Sequence, residues 1–403
     1  MFRIIKSCIK KYKSLLNIDG SVPVYDSEID IIKNGQPQYW VLNNIYKTHY
    51  PKNALLSYII YPFIDDDPKN HSNYQESLVI SKILSELEYN VDVINWNNDL
   101  FEPSKKYDLI IDNHNNLYRL GNYFDEYSLK IFHATNAFWL YQNSVEYYRA
   151  QYFFGKYGKL IMPTRLITPG SSAIYSDAIS MFGNEFTRDT YGKYASKVYH
   201  LPMSVTTELD LLNHREFKKA KTKFLWLNSH GALLKGLDVV IDCFIQLPEL
   251  ELHVCCNTEA DAAFIDAMAN QLSESSNIIF EGWVNVSSPQ FKLLSDECAW
   301  IINTSFCEGG GGSTLNCMGK GLIPLISRSA SITLPEQTGF YVEQNDSESL
   351  THLLKRVSKL PEETLKMMSG NAIDFIRANH TLENFRVMYK KFLLRIINLK
   401  NIS

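Results

Sequence analysis

The chain has 403 residues, 45% of them hydrophobic and 21% charged, with a formal net charge of -4. That length exceeds what one hydrophobic core usually serves, so two domains are expected, and the near balance of charge gives no basis for a general nucleic-acid binder. No apolar run is long enough to span a bilayer, no cleavable signal follows the amino terminus, and seven cysteines without a Cys-x-x-Cys pair read as reduced core residues of a cytoplasmic protein.

Residues 1–16 carry Arg3, Lys6, Lys10, Lys11 and Lys13 without an acid, interleaved with Phe2, Ile4, Ile5, Ile9, Leu15 and Leu16. A basic amphipathic stretch of this kind can lie on an anionic membrane surface, which would make the protein peripheral at the inner membrane face. A helix docked on the protein, or a frayed end, is the competing reading. From Ala54 onward strand and helix alternate. An apolar strand is expected at 55–63, then a helix at 74–87 whose start is marked by Asn73 and Glu76, spaced as a capping box. Strands follow at 90–94, 107–111, 129–134, 159–162, 177–181 and 197–201, the pattern of a parallel α/β sheet. Gly183-Asn184-Glu185-Phe186-Thr187 reads as a strand-to-helix corner, for which a helix cap suffices.

The polar stretch 202–221 reads as a connection between domains, 1–205 and 206–403. Strands are then expected at 223–227, 251–256, 277–281, 299–303 and 322–326, with helices starting at Leu237, Glu259, Pro289 and Ser313. The tail is helical, ending in a helix at 382–399 that has the option of packing back on the first domain. The fold class is α/β, with two Rossmann-like doubly wound domains facing a cleft, and ligands in such sheets bind beyond the carboxyl ends of the strands.

The most informative stretch follows the strand at 299–303: Thr304-Ser-Phe-Cys307-Glu308-Gly309-Gly310-Gly311-Gly312-Ser313-Thr314-Leu-Asn316. Four glycines let the backbone approach a ligand, and a helix starting at Ser313 would turn its free amides toward a diphosphate. The spacing fails the Rossmann fingerprint, because Thr314 follows Gly311 where a third glycine is needed. It fails the P-loop as well, because Gly321 follows Lys320 where Ser or Thr is needed. Cys307 is read as a buried thiol rather than a nucleophile. A flexible connector is the bland alternative for the glycines.

Three stretches together resemble the carboxyl-terminal domain of GT-B glycosyltransferases, specifically the large retaining family 4. They are Phe224-Leu-Trp-Leu-Asn-Ser-His230-Gly231-Ala-Leu-Leu-Lys235-Gly236-Leu-Asp238, Ile278-Ile-Phe-Glu-Gly282-Trp283-Val, and Glu308 to Asn316 continuing through Pro324 and Ser327. The resemblance implies that Lys235 neutralises the donor diphosphate and that Glu308 accepts hydrogen bonds from the donor sugar. Gly309, Gly310, Gly311, Gly312 and Ser313 would present amides to sugar and phosphate, with Gly231, Gly282 and Trp283 lining the rest of the donor site. Two departures stand out. His230 takes the place of an Arg near Lys235, and Asn316 takes the place of a glutamate that grips the ribose.

In the first half the match is looser. His133, in Lys130-Ile-Phe-His133-Ala-Thr-Asn136, resembles the family's sugar-touching histidine, and a hydrogen-bonded core histidine is the equal alternative. The loop containing His71 and Asn73, together with Asn136, is expected on the acceptor side. Asp65 and Asp67 have the Asp-x-Asp spacing that GT-A transferases use for a divalent metal, but a solvated loop is the stronger reading and no metal is expected.

The reading is a hexosyltransferase that uses a nucleoside diphosphate sugar as donor substrate, without a cofactor, and a glycan or lipid-linked glycan as acceptor. Glu308, His133 and Lys235 carry its chemistry, and its place is polysaccharide biosynthesis. The rivals are a degenerate carbohydrate-binding protein without transferase activity, and an epimerase or phosphorylase built on the same two domains.

Overall fold

A computed structural model describes residues 30–64, 71–209, 215–273 and 275–402. The basic segment 1–16 and the Asp65 to Asp67 triplet lie outside the described residues. The chain divides into two compact units: one holds the described residues up to His133 together with Gly170–Ser180 and Arg386–Ser403, the other holds Ala134–Pro169 and Met181–Phe385.

In the first unit the strands are β1 (Asp30–Ile32), β2 (Val41–Asn43), β3 (Lys52–Tyr58), β4 (Tyr89–Asn95), β5 (Leu109–Asp112), β6 (Leu129–Ala134) and β7 (Ala178–Met181). They lie side by side in the order β1-β2-β4-β3-β5-β6-β7. β3 pairs in parallel with both β4 and β5, Leu56 standing opposite Val93 on one side and Ile111 on the other. Leu55, Leu56, Ile110 and Ile111 are fully buried, which explains why these strands read as unbroken apolar runs. β1 and β2 form an antiparallel edge that the sequence reading lacked, and three residues each give too short a pattern to detect.

The expected capping box does not form. The helix runs Ser72–Glu86, and the His71 ring accepts the Asn73 N–H as its cap. Glu76 is instead buried, accepting a hydrogen bond from the Tyr58 hydroxyl at 3.3 Å. The strand expected at 55–63 also ends early, giving way to a short 3-10 turn at Tyr61–Phe63.

In the second unit, after β8 (Val198–His200), come β9 (Lys223–Leu227), β10 (Glu251–Cys255), β11 (Ile278–Gly282), β12 (Trp300–Asn303), β13 (Ile323–Ile326) and β14 (Phe340–Tyr341). The sheet order is β11-β10-β9-β12-β13-β14, and every pair is parallel. Helices at Leu237–Ile245 and Pro289–Glu297 connect strands, as the doubly wound pattern requires.

Residues 159–162 are not a strand. They follow a helix at Trp139–Tyr157 that the sequence reading missed, and Leu160 and Met162 are exposed. Ala150 and Phe153 of that helix join the core built on Phe224, Trp226, Leu237 and Trp300. The carboxyl end of the expected connector is also structured, because buried Arg215 donates to the carbonyls of Ser295, Lys320 and Gly321. Among the described residues no helix is long and apolar enough to cross a membrane.

Candidate active site

β9 and β12 are adjacent and parallel, so the loops that leave their carboxyl ends emerge on the same edge of the sheet. The first loop carries His230, Gly231 and Lys235 and ends at the Leu237–Ile245 helix. The second carries Glu308 and the first three of the four glycines and ends at the Gly312–Gly319 helix. The two meet in an ion pair between the Lys235 Nζ and the Glu308 carboxylate, whose side chains are only 6% and 13% exposed. Ser305 Oγ donates to the same carboxylate at 2.8 Å. So shielded a pair is weakly screened by water or salt. Burial pulls the Lys235 pKa below its ordinary value, Glu308 opposes that shift, and nearby Arg165 adds to it.

The glycines are needed for close approach. A Cβ on Gly309 would lie 2.1 Å from the Thr135 carbonyl oxygen and 2.7 Å from Asn136 Cα, so the loop backbone rests directly on the segment after β6. Asn136 itself is exposed there. The Glu308 carbonyl accepts from Thr187 Oγ1 at 2.9 Å, which ties the 183–187 corner to the same loop. That corner does contain a cap, since Asn184 accepts from the Phe186 N–H at 3.0 Å. Gly310 lines a cavity of ≈ 350 Å³ together with Asn184, His200, Met203, Ser331 and His380.

Ser313 is not the first residue of its helix. The helix begins one position earlier with Gly311 as its N-cap and no side-chain cap bond, which leaves its first-turn amides without intrahelical partners. Cys307 is buried beside Ala137 and Leu234, and burial pushes its thiol up to about 12.

The segment that sequence reasoning passed over supplies a further cation, whose charge acts on Lys235. Arg165 lies in the loop after the Trp139–Tyr157 helix, and its Nη1 donates to the His230 carbonyl at 3.2 Å. Three side chains of that helix hold the loop. Gln142 donates to the Arg165 carbonyl, Glu146 accepts the Arg165 N–H, and Asn143 exchanges two hydrogen bonds with Ile167. The helix is anchored in turn by a buried pair in which Arg149 donates to both oxygens of Asp238 at 2.6 and 2.5 Å. Burial raises the Glu146 pKa despite its bond to the Arg165 amide.

His230 is partly exposed, and burial together with Arg165 lowers its pKa, so it is neutral near pH 7. Gly282 and Trp283 stand at the carboxyl end of β11, two strands from β9, with Trp283 60% exposed. Both ends of the Asn316 amide have protein partners: its Oδ1 accepts the amides of Thr206 and Thr207 at 3.0 and 2.9 Å, while Nδ2 donates to the Gly312 carbonyl.

In the first unit His133 is completely buried, with Nδ1 hydrogen-bonded to Ser180 Oγ at 2.9 Å and its ring edge-on to Tyr58 and Tyr389. Burial pushes its pKa down to about 3. His71 serves as the helix cap, and Asn73 lies in that helix's first turn.

No family model matches the sequence, and no curated protein matches it in a sequence comparison. Solved structures match the fold. Sucrose-phosphate synthase from Thermosynechococcus elongatus aligns over 86% of this chain and 99% of its own, with 12% identity and a TM-score of 0.60. HepE from Anabaena, in complex with UDP and glucose, aligns over 86% of this chain and 100% of its own, with 10% identity and a TM-score of 0.56. WaaG, a glycosyltransferase involved in lipopolysaccharide biosynthesis, aligns over 84% of this chain and 98% of its own, with 14% identity and a TM-score of 0.54. The fold is the GT-B fold of these glycosyltransferases.

Proposed function

We propose that the chain is a hexosyltransferase that takes a nucleoside diphosphate sugar as donor and a glycan or lipid-linked glycan as acceptor, with retention at the anomeric carbon, as its resemblance to family 4 implies. The observation that carries this reading is the shielded Lys235–Glu308 pair at the mouth of the glycine turn, formed by loops from two adjacent strand ends. A diphosphate drawn to the free helix amides would take Lys235 as its counterion, and the Glu308 carboxylate would be released to the sugar hydroxyls. HepE was determined with UDP and glucose and WaaG acts in lipopolysaccharide biosynthesis, which supports the donor and acceptor classes.

In the reaction the bond from the anomeric carbon to the diphosphate oxygen breaks as the acceptor oxygen bonds to that carbon on the same face. The acceptor proton passes to the departing phosphate oxygen, and the growing negative charge is met by Lys235 and the helix amides. No cofactor or metal enters this scheme, so transfer is expected to persist in EDTA. Total loss restored only by a divalent ion would refute that part.

A panel of nucleoside diphosphate sugars tests the donor assignment by thermal stabilisation. A ligand at one hundred times its dissociation constant adds roughly 2.7 kcal/mol, a shift easily measured. Absence of stabilisation by every donor contradicts the reading. The occupation of Asn316 by the Thr206 and Thr207 amides favours one rival, a carbohydrate-binding protein that has given up turnover, and donor binding without sugar release would select it. Peripheral attachment through residues 1–16 is part of the same proposal, and binding to anionic vesicles that does not weaken with salt would contradict it.

A further inference from the structure

We propose that Arg165 is the second cation of the donor diphosphate site, taking from a distant stretch of the chain the role that His230 leaves vacant beside Lys235. The inference rests on the donor reading above and adds a residue to it. Arg165 reaches the loop that carries Lys235 by crossing Gly231, and the fit there is close. A Cβ on Gly231 would stand 2.2 Å from Arg165 Cδ and 2.7 Å from its Cγ, and the glycine has φ +84°. A side chain at position 231 and an arginine lying over it exclude one another.

The guanidinium is positioned but not neutralised. Its recorded hydrogen bonds go to a carbonyl, His230 O at 3.2 Å, and to Ser229 Oγ at 3.5 Å, which is the outer limit for such a contact. Among the described residues it forms no ion pair with a carboxylate. Its charge is felt by both cation candidates of the loop, lowering the pKa of His230 and of Lys235. Lys235 has Glu308 as its ion-pair partner and Glu146 lies near both cations, but the Arg165 guanidinium itself has no carboxylate bound to it among the described residues, and a diphosphate supplies an anion for it. Arginine also offers a fork of N–H donors that matches phosphate oxygens, which the neutral His230 ring does not.

The support beneath Arg165 is what a binding residue requires. Gln142, Asn143 and Glu146 clamp the backbone on both sides of it, and the helix they belong to is fixed by the Arg149–Asp238 pair. Phe306, which precedes the Glu308 turn, lies against the same anchor, with the Arg149 guanidinium 3.9 Å from its ring centroid. A preorganised cation loses little freedom when its anion arrives.

Titration calorimetry with UDP, GDP, ADP and dTDP, each against its nucleoside, tests the proposal. The wild type is expected to bind one diphosphate more tightly than its nucleoside. Arg165→Gln is expected to lose at least about tenfold in affinity for that diphosphate, from loss of one charge-assisted contact, and nothing for the nucleoside. Adding His230→Arg to Arg165→Gln is expected to recover part of the loss. Should the Gln variant not fold, Arg165→Lys keeps the charge without the fork and must show a smaller loss confined to the diphosphate. Equal diphosphate affinity in wild type and the folded variant overturns the role of Arg165 while leaving the donor reading intact. Equal losses for diphosphate and nucleoside overturn it too, marking Arg165 as loop architecture. A wild type that binds none of the diphosphates overturns both.

Discussion

Lys235→Ala removes a cation whose side chain is 6% exposed and paired with a carboxylate only slightly more accessible, so two separable effects are expected. The first is on the fold. Breaking one half of a buried ion pair costs about 3–5 kcal/mol, and this case falls toward the lower figure because Glu308 keeps its bond from Ser305 Oγ and some access to water. The second is on the donor. Loss of a charge-assisted contact to the diphosphate amounts to about 1.5–3 kcal/mol, roughly ten- to one-hundred-fold in affinity. Adding Glu308→Gln distinguishes them, since it removes the orphaned charge without replacing the cation. Thermal melts of the double variant are expected to recover most of the stability, while calorimetry with the diphosphate that binds the wild type still shows the weakened affinity. A folded Lys235→Ala protein that binds the diphosphate as the wild type does would refute the reasoning.

Glu308→Gln alone should slow transfer while tightening binding of the bare diphosphate, because the internal anion that competes for Lys235 is gone; weaker diphosphate binding in calorimetry would contradict this. His133 is held neutral, its pKa about 3 in the fold against an ordinary value near 6.5. Its folded pKa is the lower one, so the stability it contributes is complete above about pH 6.5 and declines as pH falls toward about 3, with a limiting slope of roughly 1.4 kcal/mol per pH unit. Urea titrations of wild type and His133→Gln between pH 7 and 5 should differ in that slope, and parallel curves would refute it. Arg149→Met should cost about 3–5 kcal/mol by leaving Asp238 buried and unpaired, and Asp238→Leu added to it should restore much of the loss in the same urea assay.

The strands were legible where burial is two-sided. Leu129–Ala134 and Lys223–Leu227 read end to end from their apolar residues, while the three-residue strands Asp30–Ile32 and Val41–Asn43 are too short to form a pattern. The Trp139–Tyr157 helix escaped for a different reason. Its buried face is Gln142, Glu146, Arg149, Ala150 and Phe153, a helical stripe that is largely polar, whereas Tyr147, Tyr148, Tyr152 and Phe154 point outward. Hydrophobic periodicity is blind to such a helix.

The same contrast holds at the site. Lys235 and Glu308 stood out as candidates because each sits in a strand–loop–helix unit with glycines at fixed places, and the fold pairs them. Arg165 has no local motif, and only tertiary folding carries it across Gly231. Asn73 and Glu76 met the spacing of a capping box, yet the helix started earlier because His71 was able to cap it and Glu76 found a buried partner in Tyr58. Asn316, a donor-site candidate in the sequence, has its Oδ1 on the amides of Thr206 and Thr207 at the start of the connector, a tertiary contact with no local signal.

Sugar transfer from a nucleoside diphosphate donor is the central claim, and its most direct measurement is the anomeric configuration of the released or transferred sugar by NMR, with wild type and Lys235→Ala side by side. The account predicts that at least one α-linked donor yields first an α-configured product together with the nucleoside diphosphate, and that Lys235→Ala sharply reduces it. Donor binding with no release by the wild type, or a β-configured first product, would contradict it.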